Sequence, residues 1–225
     1  SGIRVASGEL LTFVDSDDVV SPALVETLVS ALGNADAVMS GWPGERKSIS
    51  GADAIAPGIR LGTLNTHGKL LRTDVLHDHS VRFEDDLPLR EDIIFNVRYL
   101  LSVAYVNLLP EQLYQHRPRP GSLTTAFRPN KYDELMTANE RLAGLTAHMY
   151  TLEFRSLINH LWIRSLISAG LNLHHPESGR TSAEISQQLH EWQRGAGRLP
   201  VNHGDLQMLL VGALFKILGL NSTVS

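Results

Sequence analysis

Apolar residues fall in short, separated runs through the first half of the chain and at helical spacing through the second. Leu10-Leu11-Thr12-Phe13-Val14 is a compact run that ends in carboxylates, and its length and Phe and Val content suit a buried strand. Ser21-Pro22 reads as an N-cap followed by proline at the first helical position. Leu24, Leu28, Ala31 and Leu32 then repeat with helical spacing, and Gly33-Asn34 closes the helix. Residues 35 to 39 read as another strand. This strand, helix, strand alternation predicts an α/β sheet. Residues 43 to 66 are rich in Gly, Ser and Pro and predict a loop with one short helix near 52 to 56. Leu70-Leu71 is a short strand candidate. Residues 89 to 103 carry a strong helical pattern through Ile93, Ile94, Val97, Leu100 and Leu101. Residues 105 to 109 and 112 to 116 read as extended, and Arg117-Pro118-Arg119-Pro120-Gly121-Ser122 as a stiff turn.

The pattern changes after Pro129. Residues 131 to 149, 151 to 171, 181 to 194 and 204 to 219 all predict helices, the third opening on the capping-box pair Thr181 and Glu184. We therefore expect a domain spanning residues 1 to 128 and an all-helical region spanning 129 to 225. The last helix has a broad apolar face, Leu206, Leu209, Leu210, Ala213, Leu214, Ile217 and Leu218. Packing within its own region and a homodimer contact are both open for that face. Lys216 is its only basic residue, which disfavours a membrane surface.

Composition adds bounds. With 225 residues, 43% hydrophobic and 20% charged, the chain can bury a sizeable core. A net charge of -4 gives no whole-molecule attraction to nucleic acid or anionic membrane. The absence of cysteine removes disulfide and thiolate chemistry and accords with a reducing, cytoplasmic setting with at most peripheral membrane contact. His77, His79, His174 and His175 lack partner cysteines and H-E-x-x-H spacing, so no structural zinc site is expected. Trp162, Trp192, Phe154 and Phe215 sit in helical patterns and read as core.

The chemistry concentrates in carboxylates. Asp15-Ser16-Asp17-Asp18 follows a buried strand directly, and ligands in open α/β sheets collect at strand carboxyl ends. Packed carboxylates need a cation or strong hydrogen bonding, and oxygen ligands suit hard cations such as Mg²⁺ and Mn²⁺. An acidic loop capping the next helix remains the alternative. Glu91-Asp92 at a helix start has the same ambiguity, because acidic first turns are routine.

Gly2-Ile3, Ala6-Ser7-Gly8-Glu9 and Phe13-Val14-Asp15-Ser16-Asp17-Asp18 resemble the opening motifs of family 2 glycosyltransferases. Gly68-Lys69-Leu70-Leu71-Arg72, Val81-Arg82-Phe83, Glu91-Asp92-Ile93-Ile94-Phe95, Tyr114, and Arg117 through Ser122-Leu123-Thr124 match that family's later motifs in order. The resemblance covers residues 2 to 124. It implies a partial GT-A-like mixed sheet flanked by helices, and sugar transfer from a nucleotide-sugar donor to a glycan or other hydroxyl acceptor with inversion. It implies Asp15 and Asp17 as the D-x-D pair that binds metal and donor, Asp18 as a further metal ligand, and His116 in a position where some relatives place another. It implies Asp92 as the catalytic base with Glu91 beside it. Lys69, Arg117 and Arg119 are candidates to offset phosphate charge. A helix N-terminus favours an ionised Asp92, so a low pKa is expected there.

The family's opening strands, which hold the nucleotide, would precede Gly2, so the chain reads as starting inside a domain. The strand ending at Asp15 is then expected to be a sheet edge, and donor binding by these residues alone to be weak. Two other readings stay open. A haloacid dehalogenase-type phosphohydrolase would use the apolar strand and Asp15-Ser16-Asp17-Asp18-Val19 with Asp15 as nucleophile, but leaves Gly8-Glu9 and Glu91-Asp92 unexplained. A truncated, non-catalytic transferase would use its helical tail for assembly.

Overall fold

The computed structural model describes residues 2–117, 126–149 and 151–196. It divides the chain into two compact units, Ser1–Pro120 and Gly121–Ser225. In the first unit a 3-10 turn, Gly2–Val5, leads through β1 (Leu10–Leu11), β2 (Val19–Val20), α1 (Leu24–Leu32), β3 (Ala37–Met39), β4 (Lys47–Ser50) and α2 (Gly51–Leu61). The chain continues through β5 (Lys69–Arg72), α3 (Thr73–Asp78), α4 (Glu91–Leu101), β6 (Tyr105–Leu108) and β7 (Tyr114–Gln115). Five strands form one mixed sheet in the order β1-β5-β3-β6-β4, with β3 and β6 parallel and the other pairs antiparallel. β2 and β7 form a separate antiparallel ribbon. The strand expected over residues 10 to 14 shortens to β1, followed by an isolated bridge from Phe13 to His67.

Ala37, Val38 and Met39 of β3 are all buried, as a strand covered on both faces requires. Leu24, Leu28 and Leu32 recur once per helical turn on α1 and pack with Val38, Leu70, Leu109 and Leu113. Burying each such leucine contributes about 1.5–3 kcal/mol. The helix starts two residues later than its Ser21-Pro22 signal suggests: Ala23 is the N-cap, and Ser21 first makes a turn, accepting from Leu24 N–H at 2.9 Å.

α2 packs on α4. It is eleven residues long, where the sequence suggests five. Ser50 caps it by accepting from Asp53 N–H at 3.0 Å, and Gly62 ends it in the left-handed conformation. Gly58, which reads as a breaker, lies where a Cβ would meet the Leu64 side chain at 2.6 Å, so its small size serves close packing.

The second unit holds α5 (Lys131–Leu145), a 3-10 turn (Ala147–Met149), α6 (Leu152–Leu173), a second such turn (Pro176–Ser178) and α7 (Ser182–Ala196). α5 packs on α6, with Asn139 Nδ2 donating to Ser165 Oγ at 2.9 Å inside the contact. Trp162 and Phe154 are buried and Trp192 stacks on Tyr132 with ring centroids 4.3 Å apart, in line with their reading as core. The capping box forms: Thr181 N–H donates to Glu184 Oε2 at 2.7 Å and Glu184 N–H to Thr181 Oγ1 at 3.3 Å. The expected fourth helix, Phe215 and the apolar face from Leu206 to Leu218 lie outside the described residues. No helix among the described residues is long and apolar enough to cross a membrane.

Candidate functional site

Phe13 fixes the approach to the first carboxylates. Its ring meets Phe83 and Phe95 edge-on at 5.5 and 5.6 Å, and those two stack at 4.3 Å. Phe95 belongs to α4, so the aromatic trio ties the segment before Asp15 to the helix that begins with Glu91 and Asp92. Such pairs contribute about 0.5–1.5 kcal/mol each beyond the area they bury.

The β2–β7 ribbon places the next group. Its register sets Val20 opposite Tyr114 and Val19 opposite Gln115, which brings Asp18 beside His116 and Arg117. Asp18 Oδ1 accepts from Arg117 N–H at 2.9 Å and lies 3.0 Å from His116 Nδ1, while Tyr114 Oη–H donates to Asp18 Oδ2 at 2.7 Å. The Arg117 backbone donor, with Tyr114 and His116, outweighs desolvation and holds the Asp18 carboxyl below the usual range. Asp15 N–H donates to Tyr114 Oη at 3.0 Å, so one phenol links both acids. Burial, reinforced by Asp18, pushes Tyr114 up to about 12.

A third group comes from the loop before β5. His67 Nε2 lies 2.9 Å from Asp15 Oδ2, and its ring stacks on Tyr114 at 4.5 Å and 5°. Ligand atoms of Asp15, Asp18 and His67 lie within 4.8 Å of one another. Two carboxylates and an imidazole at that spacing fit a divalent cation. A cavity of about 160 Å³ opens beside His67, Tyr114 and His116. Gly68 permits this approach: its φ is +61°, and a Cβ there would meet Ser40 Oγ at 2.5 Å.

Asp92 begins α4 as expected, but its environment reverses the expected pKa. Burial raises it, against the Ile93 N–H and the charges of Lys69 and His67. Arg90, just before the pair, holds a left-handed φ of +64°, a conformation that costs a non-glycine residue on the order of 1–3 kcal/mol and collects at functional sites.

Lys69 differs from its reading as a surface or phosphate-facing cation. It is 3% exposed, and its Nζ folds back to donate to Asn65 O, Asn65 Oδ1 and His67 O. Burial pushes it down to about 7, opposed by the Asp92 carboxylate. Asn96 of α4 joins it: its Nδ2 donates to Asn65 O at 3.0 Å and Asp92 O at 2.8 Å. Lys69 and Asn96 together fasten the His67 loop to the start of α4.

The structure thus gathers Asp15, Asp18 and His116, adds Tyr114 and His67, and links Asp92 to the His67 loop through Asn96. Asp17 and His116 are outside the three-residue ligand group, and Glu91 stands at the first position of α4. The Arg117 side chain is exposed. Arg119, with Ser122, Leu123 and Thr124, lies outside the described residues. Glu84, expected in a solvated acidic turn, is instead covered and paired with Arg98. His67 is the group that sequence reasoning passed over. It is a single histidine in a polar loop, and only the Phe13 bridge and Tyr114 stacking give it a role.

Comparison with known proteins bears out the resemblance. Residues 1–75 match the model of glycosyl transferase family 2. The uncharacterized glycosyltransferase EpsJ of Bacillus subtilis (strain 168) is 25% identical over 145 residues, covering 55% of this chain and 42% of EpsJ. Among solved structures, S. aureus TarS 1-349 in complex with UDP-GlcNAc superposes with a TM-score of 0.54 at 16% identity, over 83% of this chain and 56% of that one. The same protein with UDP gives 0.51 at 15% identity, over 85% and 55%. The chain therefore spans about half the length of these relatives. The fold is a partial GT-A-like mixed sheet with flanking helices, followed by a helical region.

Proposed function

We propose that this chain, with the family 2 glycosyltransferase pattern across its first 75 residues, carries the cation- and base-bearing part of a site that moves a sugar from a nucleotide-sugar to an acceptor hydroxyl. One observation carries the reading: His67 of the Asp15–Asp18–His67 group sits on the loop that Asn96 Nδ2 joins to the partly buried Asp92 at the start of α4, donating to Asn65 O at 3.0 Å and to Asp92 O at 2.8 Å. A base and a cation-binding group on joined elements are what a single displacement at a diphosphate-activated carbon would use.

The acceptor oxygen bonds to the anomeric carbon, the bond from that carbon to the diphosphate oxygen breaks, and the hydroxyl proton passes to the Asp92 carboxylate. One displacement inverts the anomeric centre. Mn²⁺ or Mg²⁺ held by Asp15 and Asp18 would neutralise charge growing on the leaving diphosphate. Tyr114 and the Arg117 N–H hold Asp18 ionised and aimed, and the exposed Arg117 side chain would offset phosphate charge. Burial disfavours the charged form of Asp92 and so makes it a stronger proton acceptor than a surface aspartate, and a general base works best with a pKa near the operating pH. Glu91 is the neighbouring alternative.

UDP-sugars are the first donors to test, since TarS was crystallised with UDP-GlcNAc. The natural polypeptide containing these residues should release nucleoside diphosphate from a nucleotide-sugar when a hydroxyl acceptor and a divalent cation are present, and stop in chelator. Turnover of simple phosphate esters, with no nucleotide-sugar consumed across a panel, would favour the phosphohydrolase reading instead.

A further inference from the structure

We infer that His67 is itself a ligand of the cation, and that its nitrogen makes the site prefer Mn²⁺ to Mg²⁺. This rests on the cation reading above but adds a residue and a selectivity that the reading does not need.

The imidazole is aimed before any ion arrives. Its plane is set by stacking on Tyr114 at 5°, and its Nε2 edge faces Asp15 Oδ2 at 2.9 Å. Its backbone bridges to Phe13, and its N–H donates to Asn65 Oδ1 at 3.1 Å. The loop behind it is fastened by Lys69 Nζ on the Asn65 and His67 carbonyls, and by Asn96 Nδ2 on the Leu64 and Asn65 carbonyls. Stacking on Tyr114 and a fastened backbone leave this ring little freedom to turn away.

The donor set decides the ion. Mg²⁺ demands near-ideal octahedral oxygen coordination and gives up its waters reluctantly. Imidazole nitrogen suits first-row transition ions better, while carboxylate suits both. A two-carboxylate, one-imidazole group therefore accepts Mn²⁺ with all three donors and Mg²⁺ chiefly through Asp15 and Asp18. The alternative is that His67 merely hydrogen-bonds Asp15 and never meets the ion.

Mn²⁺ binding by the 225-residue chain decides between them, read by loss of the free-ion signal in electron paramagnetic resonance and by competition with Mg²⁺. Wild type should bind Mn²⁺ and surrender it only to excess Mg²⁺. His67→Gln, which keeps the size of the side chain, should weaken Mn²⁺ by about tenfold or more, a loss of the size seen when a metal site's supporting groups are changed, and leave Mg²⁺ affinity nearly unchanged. Pulsed resonance on wild type needs no variant: coupling of Mn²⁺ to a ¹⁴N nucleus should be present, and should vanish in His67→Gln. Equal Mn²⁺ affinity in both proteins, or no ¹⁴N coupling in wild type, overturns the His67 assignment while the two-aspartate site survives. No Mn²⁺ binding by wild type at all overturns the cation reading and this assignment together.

Discussion

At the residue scale, the geometry ranks carboxylates that the motif leaves equal. Asp18 is held by three named donors and belongs to the three-residue ligand group, whereas Asp17 is outside that group. Asp18→Asn should therefore reduce cation binding more than Asp17→Asn, and calorimetric titration with Mn²⁺ reads the difference directly. Equal losses would mean that the cation contacts both. Asp92 carries a pH prediction. Its pKa is raised by burial, and a base must be ionised to act. The rate, kcat/KM, should fall on the acid side with an inflection above that of an ordinary aspartate, and a profile flat down to the usual carboxylate range would argue against Asp92. Asp15, Asp18 and Asp92 stand out in the sequence because each sits in a motif. His67 does not, because one histidine carries no pattern, and Lys69 is misread because nothing in Gly68-Lys69-Leu70 shows that the side chain folds back onto its own loop.

At the scale of elements, legibility followed periodicity. α1, α4, α5, α6 and α7 announce themselves by apolar spacing, and β3 by a continuous apolar run. β4 does not: Lys47-Ser48-Ile49-Ser50 is a half-exposed end strand with one apolar residue. α2 was hidden because Gly51, Pro57 and Gly58 read as breakers, yet Gly51 and Gly58 are there for contact: a Cβ at Gly51 would collide with Leu100 O and Val103. Two substitutions test the joints between elements. Tyr99 of α4 accepts from Arg72 N–H at 2.9 Å and donates to Asp36 O at 2.7 Å, so it ties that helix to β5 and β3. Tyr99→Phe removes both bonds and leaves Arg72 N–H and Asp36 O only their longer bond to each other at 3.3 Å, so it should cost about 0.5–1.5 kcal/mol in urea unfolding. Gly68→Ala meets a left-handed φ and the Ser40 hydroxyl. It should destabilise by about 1–3 kcal/mol and, by moving the loop, loosen Mn²⁺ binding; unchanged stability would show that the turn relaxes freely.

At the scale of the molecule, the sheet ends on β1, as expected for the strand that leads to Asp15. A cleft of about 840 Å³ runs beside it, lined by Ile3, Arg4, Leu11, Phe13, Arg82 and Phe83 among others. An α/β sheet was legible in the strand, helix, strand alternation, while its mixed order came only from the family resemblance; the boundary expected at 128/129 compares with compact units that divide at Pro120 and Gly121. The meeting of Asp15, Asp18 and His67 was not legible, since it depends on contacts between residues 52 to 99 positions apart. The central claim is that these groups divide the work, with Asp15 and Asp18 holding the donor's cation and Asp92 taking the acceptor's proton. The most direct test measures donor affinity and transfer rate for Asp92→Asn in the natural polypeptide at saturating Mn²⁺. The account predicts donor affinity close to wild type and transfer slowed by about 10²–10⁴-fold, the usual contribution of a general base. Transfer within a few-fold of wild type would contradict it.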